Sequence, residues 1–177
     1  RGGVTNQFGA VYHLSQSPTN PVPQIRDSTA NTNHGVCFGS MTAGQLTNGI
    51  ADGALRFDGV DDYVNCGNSA SLEPSKVTFS CWFMPLGPGS HNDFVWTFTK
   101  GRNSTGPSYG FQFSPNNQYI RSAMRISNIL RYGSVMPFQT NSPITHFTAT
   151  YDGTNLITYR NGQLVTFVSL YRRTSSA

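Results

Sequence analysis

The feature that most constrains the fold is a run of short alternating segments separated by tight-turn dipeptides. Near the end of the chain, HFTATYDGTNLITYRNGQLVTFV (146–168) alternates apolar and polar residues and is interrupted at Asp152-Gly153 and at Asn161-Gly162. Alternation with a period of two is typical of a strand with one buried face, and Asp-Gly and Asn-Gly tolerate the positive φ of hairpin turns. This stretch therefore predicts three antiparallel strands, at 146–152, 156–160 and 163–169, joined by two turns.

The same pattern recurs along most of the chain. In KVTFSCWFM (76–84), Phe79, Cys81 and Phe83 fall on one face and Trp82 on the other. Further strands are expected at 10–14, 35–38, 54–57, 63–66, 93–99, 109–114 and 118–127, and helical periodicity is almost absent. These observations predict an all-β fold, a two-sheet antiparallel jelly-roll sandwich. We expect one domain over 1–177, with 1–9 as an extended N-terminal segment and 170–177 as a C-terminal tail.

The amino-acid composition argues against a nucleic-acid partner and against a membrane span. Charged residues make up 11% of the sequence, against about 25% in a typical soluble protein. The net charge is +4, but the arginines cluster only weakly, so no nucleic-acid partner is expected. No stretch approaches 18 apolar residues, so no membrane span is expected. The neutral surface, rich in Ser, Thr, Asn and Gln, favours an extracellular or cell-surface protein that is secreted.

The three cysteines, Cys37, Cys66 and Cys81, leave at least one thiol unpaired within the chain. Cys81 lies on the apolar face of its predicted strand and is best interpreted as a small buried residue. A disulfide between Cys37 and Cys66 stays open as an alternative. There is no C-x-x-C pair, so a zinc site has no support.

The order of several motifs resembles that of a known family. VYHLSQ (11–16) is followed by DSTANTNHG (27–35), ALRFDGVDDYVNCG (54–67), SLEPSKVTFSCWFMP (71–85) and HFTATYDGTNLITYRNGQLV (146–165). The series resembles the laminin G-like domains of the concanavalin A-like lectin/glucanase superfamily, in the form found in bacterial surface and secreted proteins. The resemblance implies a concanavalin A-like jelly roll over nearly the whole chain. It does not imply one ligand, because this fold hosts lectins, glycosidases, adhesion modules and spacers.

The chain departs from the family pattern at its end. After the strand expected at 163–169, such domains usually continue through more strands, whereas here only LYRRTSSA remains. The resemblance therefore implies either that the chain was cut, so that the sandwich lacks its last strand, or that the final strand comes from elsewhere. A strand from a partner or from another copy could fill the open edge by β-augmentation.

Three carboxylates, Asp58, Asp61 and Asp62, lie within RFDGVDDYVNCG (56–67). Asp in such turns commonly accepts hydrogen bonds from its own backbone, which is the favoured interpretation. The alternative is a calcium site, because Ca²⁺ takes carboxylate and loop oxygens and the resemblance implies that such sites are common. Asp27 with Asn31 is a second place where calcium ligands could come from.

The same carboxylates do not form a catalytic pair. Glycosidases of the superfamily place their acids on one strand face, at spacings of two or four residues. Asp61 and Asp62 are adjacent and would face opposite ways in a strand, and Asp58 precedes a glycine as in a turn. We therefore expect no enzymatic activity and consider glycoside hydrolysis the least favoured function.

Candidate ligand-binding residues are aromatic platforms with polar neighbours, since sugar rings stack their C–H faces on aromatic rings. The candidates are Trp82, Trp96, Tyr109, Arg121, Asn128 and Tyr132. The competing interpretation is that most of the aromatic residues belong to the core. The sequence thus predicts a non-catalytic adhesion module that binds a glycan or a surface protein. The alternative is a structural subunit of a filament, sheath or virion exterior, completed by strand exchange.

Overall fold

The computed structural model describes residues 8–87, 95–101, 109–114, 118–139 and 141–170. The chain divides into two compact units, Arg1–Glu73 and Pro74–Ala177. The single domain over 1–177 stays a prediction. Of the predicted segments, 1–7, 93–94 and 171–177 lie outside the described residues.

The first unit contains two small antiparallel sheets. β1 (Val36–Phe38) pairs with β4 (Tyr63–Asn65), and β2 (Leu46–Asn48) pairs with β3 (Gly53–Leu55). The described residues of this unit also contain two short 3-10 helices, Ala43–Gln45 and Ala70–Leu72. The sequence predicted β1, β3 and β4 but not β2.

The strand predicted at 10–14 is wrong. In its place the structure has an isolated β-bridge between Tyr12 and Asp27. Leu14 has a φ of 56°, which lies outside the range of a strand. The segment is held by a buried carboxylate. Asp27 Oδ1 accepts hydrogen bonds from the N–H groups of Val11 at 3.0 Å and Thr29 at 2.9 Å. The side chain therefore replaces a strand partner.

Asp27 is also bonded through its second oxygen. Oδ2 accepts a hydrogen bond from the Thr29 hydroxyl at 2.8 Å and from the Asn33 N–H at 2.9 Å. Burial acts to raise the pKa of Asp27, but its hydrogen bonds outweigh burial and the pKa is lowered. Both oxygens of Asp27 are thus occupied in organising this loop.

The second unit contains two larger antiparallel sheets. The first consists of β6 (Val95–Lys100), β7 (Tyr109–Phe113), β8 (Tyr119–Ile126), β9 (Ile129–Tyr132) and β10 (Met136–Pro137), in the order β10-β8-β7-β6 with β9 also paired to β8. The second has the order β13-β12-β11-β5, with β5 (Val77–Phe83), β11 (Thr145–Tyr151), β12 (Asn155–Arg160) and β13 (Gln163–Ser169). The sequence did not predict β9 and β10.

An aromatic core lies between these two sheets. Phe79 contacts Phe111 with ring centroids 5.0 Å apart, and Phe83 contacts Phe113 at 5.0 Å. Phe147 is fully buried and lies 4.8 Å from Phe83. Burial of such a ring stabilises the fold by about 1.5–3 kcal/mol. The predicted all-β sandwich is therefore confirmed.

The local signals read from the sequence are present in this unit. Asn161 and Gly162 have φ values of 50° and 76°, as the tight turn between β12 and β13 requires.

Cys81 packs against the core, where burial raises the pKa of its thiol to about 12. All three cysteines are free thiols, so the alternative Cys37–Cys66 disulfide is not formed. Cys37 pairs in register with Val64, which places Cys66 diagonally rather than directly across from it.

Candidate functional site

Four side chains line up across the face of the five-stranded sheet that points away from the core. Trp96 of β6 is in register with Gln112 of β7, and Gln112 is in register with Arg121 of β8. Tyr132 of β9 pairs with Ala123, two residues along β8 from Arg121. We call these four residues the Trp96–Tyr132 row. It crosses four strands and so spans about 14 Å.

The guanidinium group of Arg121 is held on two sides. Its Cζ lies 3.6 Å from the centroid of the Tyr132 ring, and Tyr132 is 37% exposed. Its Nε and Nη2 donate to Gln112 Oε1 at 3.3 and 3.2 Å. Gln112 is buried, so the amide that orients Arg121 is itself fixed. A planar cation stacked on an aromatic ring is a preorganised surface for a polar ligand.

Asn128 does not belong to the Trp96–Tyr132 row and lies instead at the tip of the β8–β9 hairpin. It occupies the turn between β8 and β9 with a φ of 63°, and its carbonyl oxygen accepts a hydrogen bond from Arg125 Nη1 at 3.1 Å. Arg125 Nε is buried without a hydrogen-bond partner. Asn128 therefore fixes the turn and one end of Arg125.

The other two predicted ligand residues lie elsewhere. Trp82 is 51% exposed on the outer face of the four-stranded sheet, where it stacks on His146 with centroids 4.7 Å apart. Tyr109 is buried in the core, 5.3 Å from Phe79. The structure therefore brings together Trp96, Arg121 and Tyr132 and separates them from Trp82 and Tyr109.

Sequence reasoning missed Gln112 and His146. Gln112 is the polar residue between two core phenylalanines in YGFQF (109–113), so the alternation of that strand carried the signal. The same alternation places Tyr109 on the core face with Phe111. His146 carried no such signal, because its contact with Trp82 depends on the register of β11 with β5.

Charge is unevenly divided between the two units. Residues 74–177 include nine Lys and Arg and two Asp, whereas residues 1–73 include three Arg and six Asp and Glu. The row thus belongs to a basic unit, which favours ligands with carboxylate or sulfate groups.

The acidic stretch forms a turn in which the carboxylates bind backbone groups. Asp58 Oδ1 accepts from the N–H groups of Val60, Asp61 and Asp62, at 2.8, 3.3 and 3.4 Å, and the bond from Val60 is the main reason that the pKa of Asp58 is lowered. Asp62 Oδ2 accepts from Asp58 N–H at 3.0 Å and from Gln45 at 2.8 Å. The predicted turn chemistry is present.

The same turn also gathers carboxylate oxygens. One oxygen from each of Asp58, Asp61 and Asp62 lies within 4.8 Å of the others. Asp62 Oδ1 is buried without a hydrogen-bond partner. An orphaned buried carboxylate oxygen beside two other carboxylates fits a hard cation such as Ca²⁺.

Comparison with known families decides the classification. Residues 58–175, about two thirds of the chain, match the laminin G-type family of the concanavalin A-like lectin/glucanases superfamily. The chain belongs to this family. No curated protein matches it, and no solved structure does.

Membership of the laminin G-type family makes the chain a lectin-like module of the kind that binds carbohydrate or a protein partner. Such domains are generally non-catalytic and commonly extracellular, and members of the superfamily often bind calcium. In the described part of the chain, no helix is long and apolar enough to cross a membrane.

Proposed function

We propose that this laminin G-like domain is a non-catalytic, extracellular carbohydrate-binding module whose site is the Trp96–Tyr132 row. The observation that carries the proposal is the Arg121 guanidinium, stacked on Tyr132 at 3.6 Å and held by buried Gln112. Tyr132, which is 37% exposed, offers an aromatic surface to a sugar ring, while the Arg121 guanidinium supplies directional polar contacts. The low content of charged residues is consistent with an extracellular β protein.

Binding without catalysis is supported by the positions of the carboxylates. Among the described residues of 74–177, Asp152 is the single acidic side chain. Its Oδ1 accepts hydrogen bonds from the N–H groups of Thr154 at 2.8 Å and Asn155 at 2.7 Å, so it is used in a turn. Glycoside hydrolysis needs two carboxyl groups facing one substrate. The described part of the row's unit does not supply that pair.

The proposal is tested by removing the row one side chain at a time. A glycan array that includes neutral, uronate-bearing and sulfated oligosaccharides selects a binder, whose affinity is then measured by calorimetry. Arg121→Ala and Tyr132→Ala are each expected to weaken binding at least tenfold, about 1.4 kcal/mol. These changes remove the stacked cation or its platform, and buried aromatic and arginine residues commonly dominate binding sites.

The matched control is Arg131→Ala, which removes the same charge from β9. Arg131 pairs with Met124, so it points to the opposite face of the strand from Tyr132. We expect this variant to bind normally apart from a small loss common to all ligands. If no glycan binds, or if Trp82→Ala abolishes binding while Arg121→Ala does not, the row is not the site.

We also propose a structural calcium site at Asp58, Asp61 and Asp62. The support is the buried Asp62 Oδ1 beside two neighbouring carboxylates. A bound cation would neutralise these charges and stiffen the turn that precedes β4.

Calcium binding is expected to raise the melting temperature of the chain relative to EDTA. Ligand at 100 times its Kd stabilises the native state by about 2.7 kcal/mol. Asp61→Asn and Asp62→Asn should each reduce this shift, whereas Asp52→Asn, an acidic residue of the same unit outside the cluster, should retain it. Thermal unfolding with Ca²⁺, Mg²⁺ or EDTA makes the comparison. Identical melting curves in Ca²⁺ and EDTA would contradict the site.

A further inference from the structure

Two Asn-Gly dipeptides of this chain have the chemistry of a modification site. They are Asn48-Gly49, at the end of β2, and Asn161-Gly162, between β12 and β13. In such a pair the asparagine side chain and the next backbone nitrogen can close a five-membered ring. Glycine hinders this closure least, because it has no side chain and a freely rotating backbone. Both asparagines are exposed, so access to water does not distinguish them.

The side chain of Asn161 is tethered to a neighbouring strand. Its Oδ1 accepts a hydrogen bond from the N–H of His146 at 3.0 Å, and its own N–H donates to the carbonyl oxygen of His146 at 2.8 Å. Ring closure would have to turn the side-chain carbonyl toward Gly162 and break the first of these bonds. Because β12 is paired with both β11 and β13, opening this turn also disturbs a four-stranded sheet.

Asn48 has neither restraint. Within the described ranges, no hydrogen bond joins its side chain to another residue. β2 consists of three residues, all exposed, and in the described part of the chain it pairs with β3 alone, which is equally short. Two-stranded pairs of this kind are marginally stable, so local opening requires little free energy. The opened segment lets Asn48 Cγ reach the backbone nitrogen of Gly49.

We propose that Asn48-Gly49 is a site of spontaneous deamidation in the folded protein and that Asn161-Gly162 is protected. The Gly49 nitrogen loses its proton and attacks Asn48 Cγ, which forms the new C–N bond of a succinimide. The bond from Cγ to Nδ2 breaks, and Nδ2 takes up a proton and leaves as ammonia. Water then opens either carbonyl of the ring, which leaves aspartate or isoaspartate in place of Asn48. Water is the co-reactant, and no atom is oxidised or reduced.

The products alter both the charge and the backbone of β2. Either product adds a carboxylate to residues 1–73, which already include six Asp and Glu against three Arg. The new charge lies near Asp52, because Asn48 and Asp52 line the same shallow cavity, and like charges repel. Isoaspartate also inserts one atom into the main chain opposite Gly53, the register partner of Asn48. The β2–β3 pairing therefore weakens as the protein ages, independently of the proposed carbohydrate site.

The test incubates the full folded chain at mildly alkaline pH and follows both dipeptides by peptide mapping with mass spectrometry and by an isoaspartate methyltransferase assay. Conversion at Asn48 is expected to be at least about tenfold faster than at Asn161. In urea the two sites should react at similar rates, which is the control that the fold causes the difference. Asn48→Gln, which would need a six-membered ring, should abolish conversion at this position. Circular dichroism checks that this exposed substitution leaves the chain folded.

Hydrogen exchange gives a second readout. The amides of 46–48 should lose protection as the modified fraction accumulates, and the Asn48→Gln variant should keep its protection over the same incubation. A folded chain in which Asn161 reacts as fast as Asn48 would overturn the proposal. It would equally be overturned by a folded chain whose Asn48 stays unmodified for as long as the chain in urea takes to convert both sites.

Discussion

Replacing Phe147 with alanine is expected to lower the free energy of unfolding by about 3–5 kcal/mol. The ring is fully buried and stacks on Phe83 with centroids 4.8 Å apart. It also contacts Phe111 and Phe138 across the core, at 6.1 and 5.8 Å. The loss therefore includes both the transfer of the ring to water and the cavity left among three rigid aromatic neighbours. Urea unfolding followed by far-ultraviolet circular dichroism measures the change.

Phe167→Ala is the matched control for this prediction. It is the same substitution in the same sheet, but Phe167 is 58% exposed. The free energy of unfolding should therefore fall by less than about 1 kcal/mol. Equal losses from the two variants would show that Phe147 does not lie in the core between the sheets.

The second large effect is expected for Asp27→Asn, which should lower the free energy of unfolding by about 2–3 kcal/mol. The carboxylate accepts two hydrogen bonds at each oxygen, from Val11, Thr29 and Asn33. An amide in this position retains one acceptor oxygen and turns an N–H₂ group toward donors, and hydrogen bonds to a charged group contribute about 1.5–3 kcal/mol. Exchange of the amides of Val11, Thr29 and Asn33 provides a local readout. Asp52→Asn, at an exposed position in the same unit, should be nearly neutral.

The same residue makes a prediction about pH. Because the pKa of Asp27 is lowered in the folded chain, its contribution to stability is complete above the unfolded value of about 3.9 and is lost as the pH falls through the folded value. Asp27→Asn should therefore flatten the acid limb of the stability profile. A variant whose stability falls with acid as steeply as that of the wild type would contradict this role.

Particular residues show which strands could be predicted from the sequence and which could not. Asn161-Gly162 and the alternation of 146–168 predicted β11, β12 and β13 within one residue at each end, since turn chemistry and period-two patterning are local. The prediction of a strand at 10–14 was wrong because the Val11 N–H donates to the side chain of Asp27 rather than to the backbone of a neighbouring strand. β9 was missed because its four residues, ILRY, are too short to show an alternating pattern.

For the candidate site, the sequence indicated suitable residue types, whereas the contacts between them depended on the tertiary structure. Arg121 and Tyr132 were identified as residue types suited to binding, but their contact depends on the pairing of β8 with β9. The alternation of β7 marks Gln112 as outward-facing, but its contact with Arg121 depends on the pairing of β7 with β8. Tyr109, chosen as a candidate with them, lies in the core with Phe79.

The sequence by itself determined the fold class, the turns and the two faces of each long strand, because these follow from backbone preferences and from a period of two. The tertiary structure alone decided which aromatic rings meet in the core and which side chains form the row across the sheet. It also decided that β13, among the described residues, pairs with β12 alone. The physical reason is that strand order and register join residues far apart in the chain, and a local pattern cannot specify its partner.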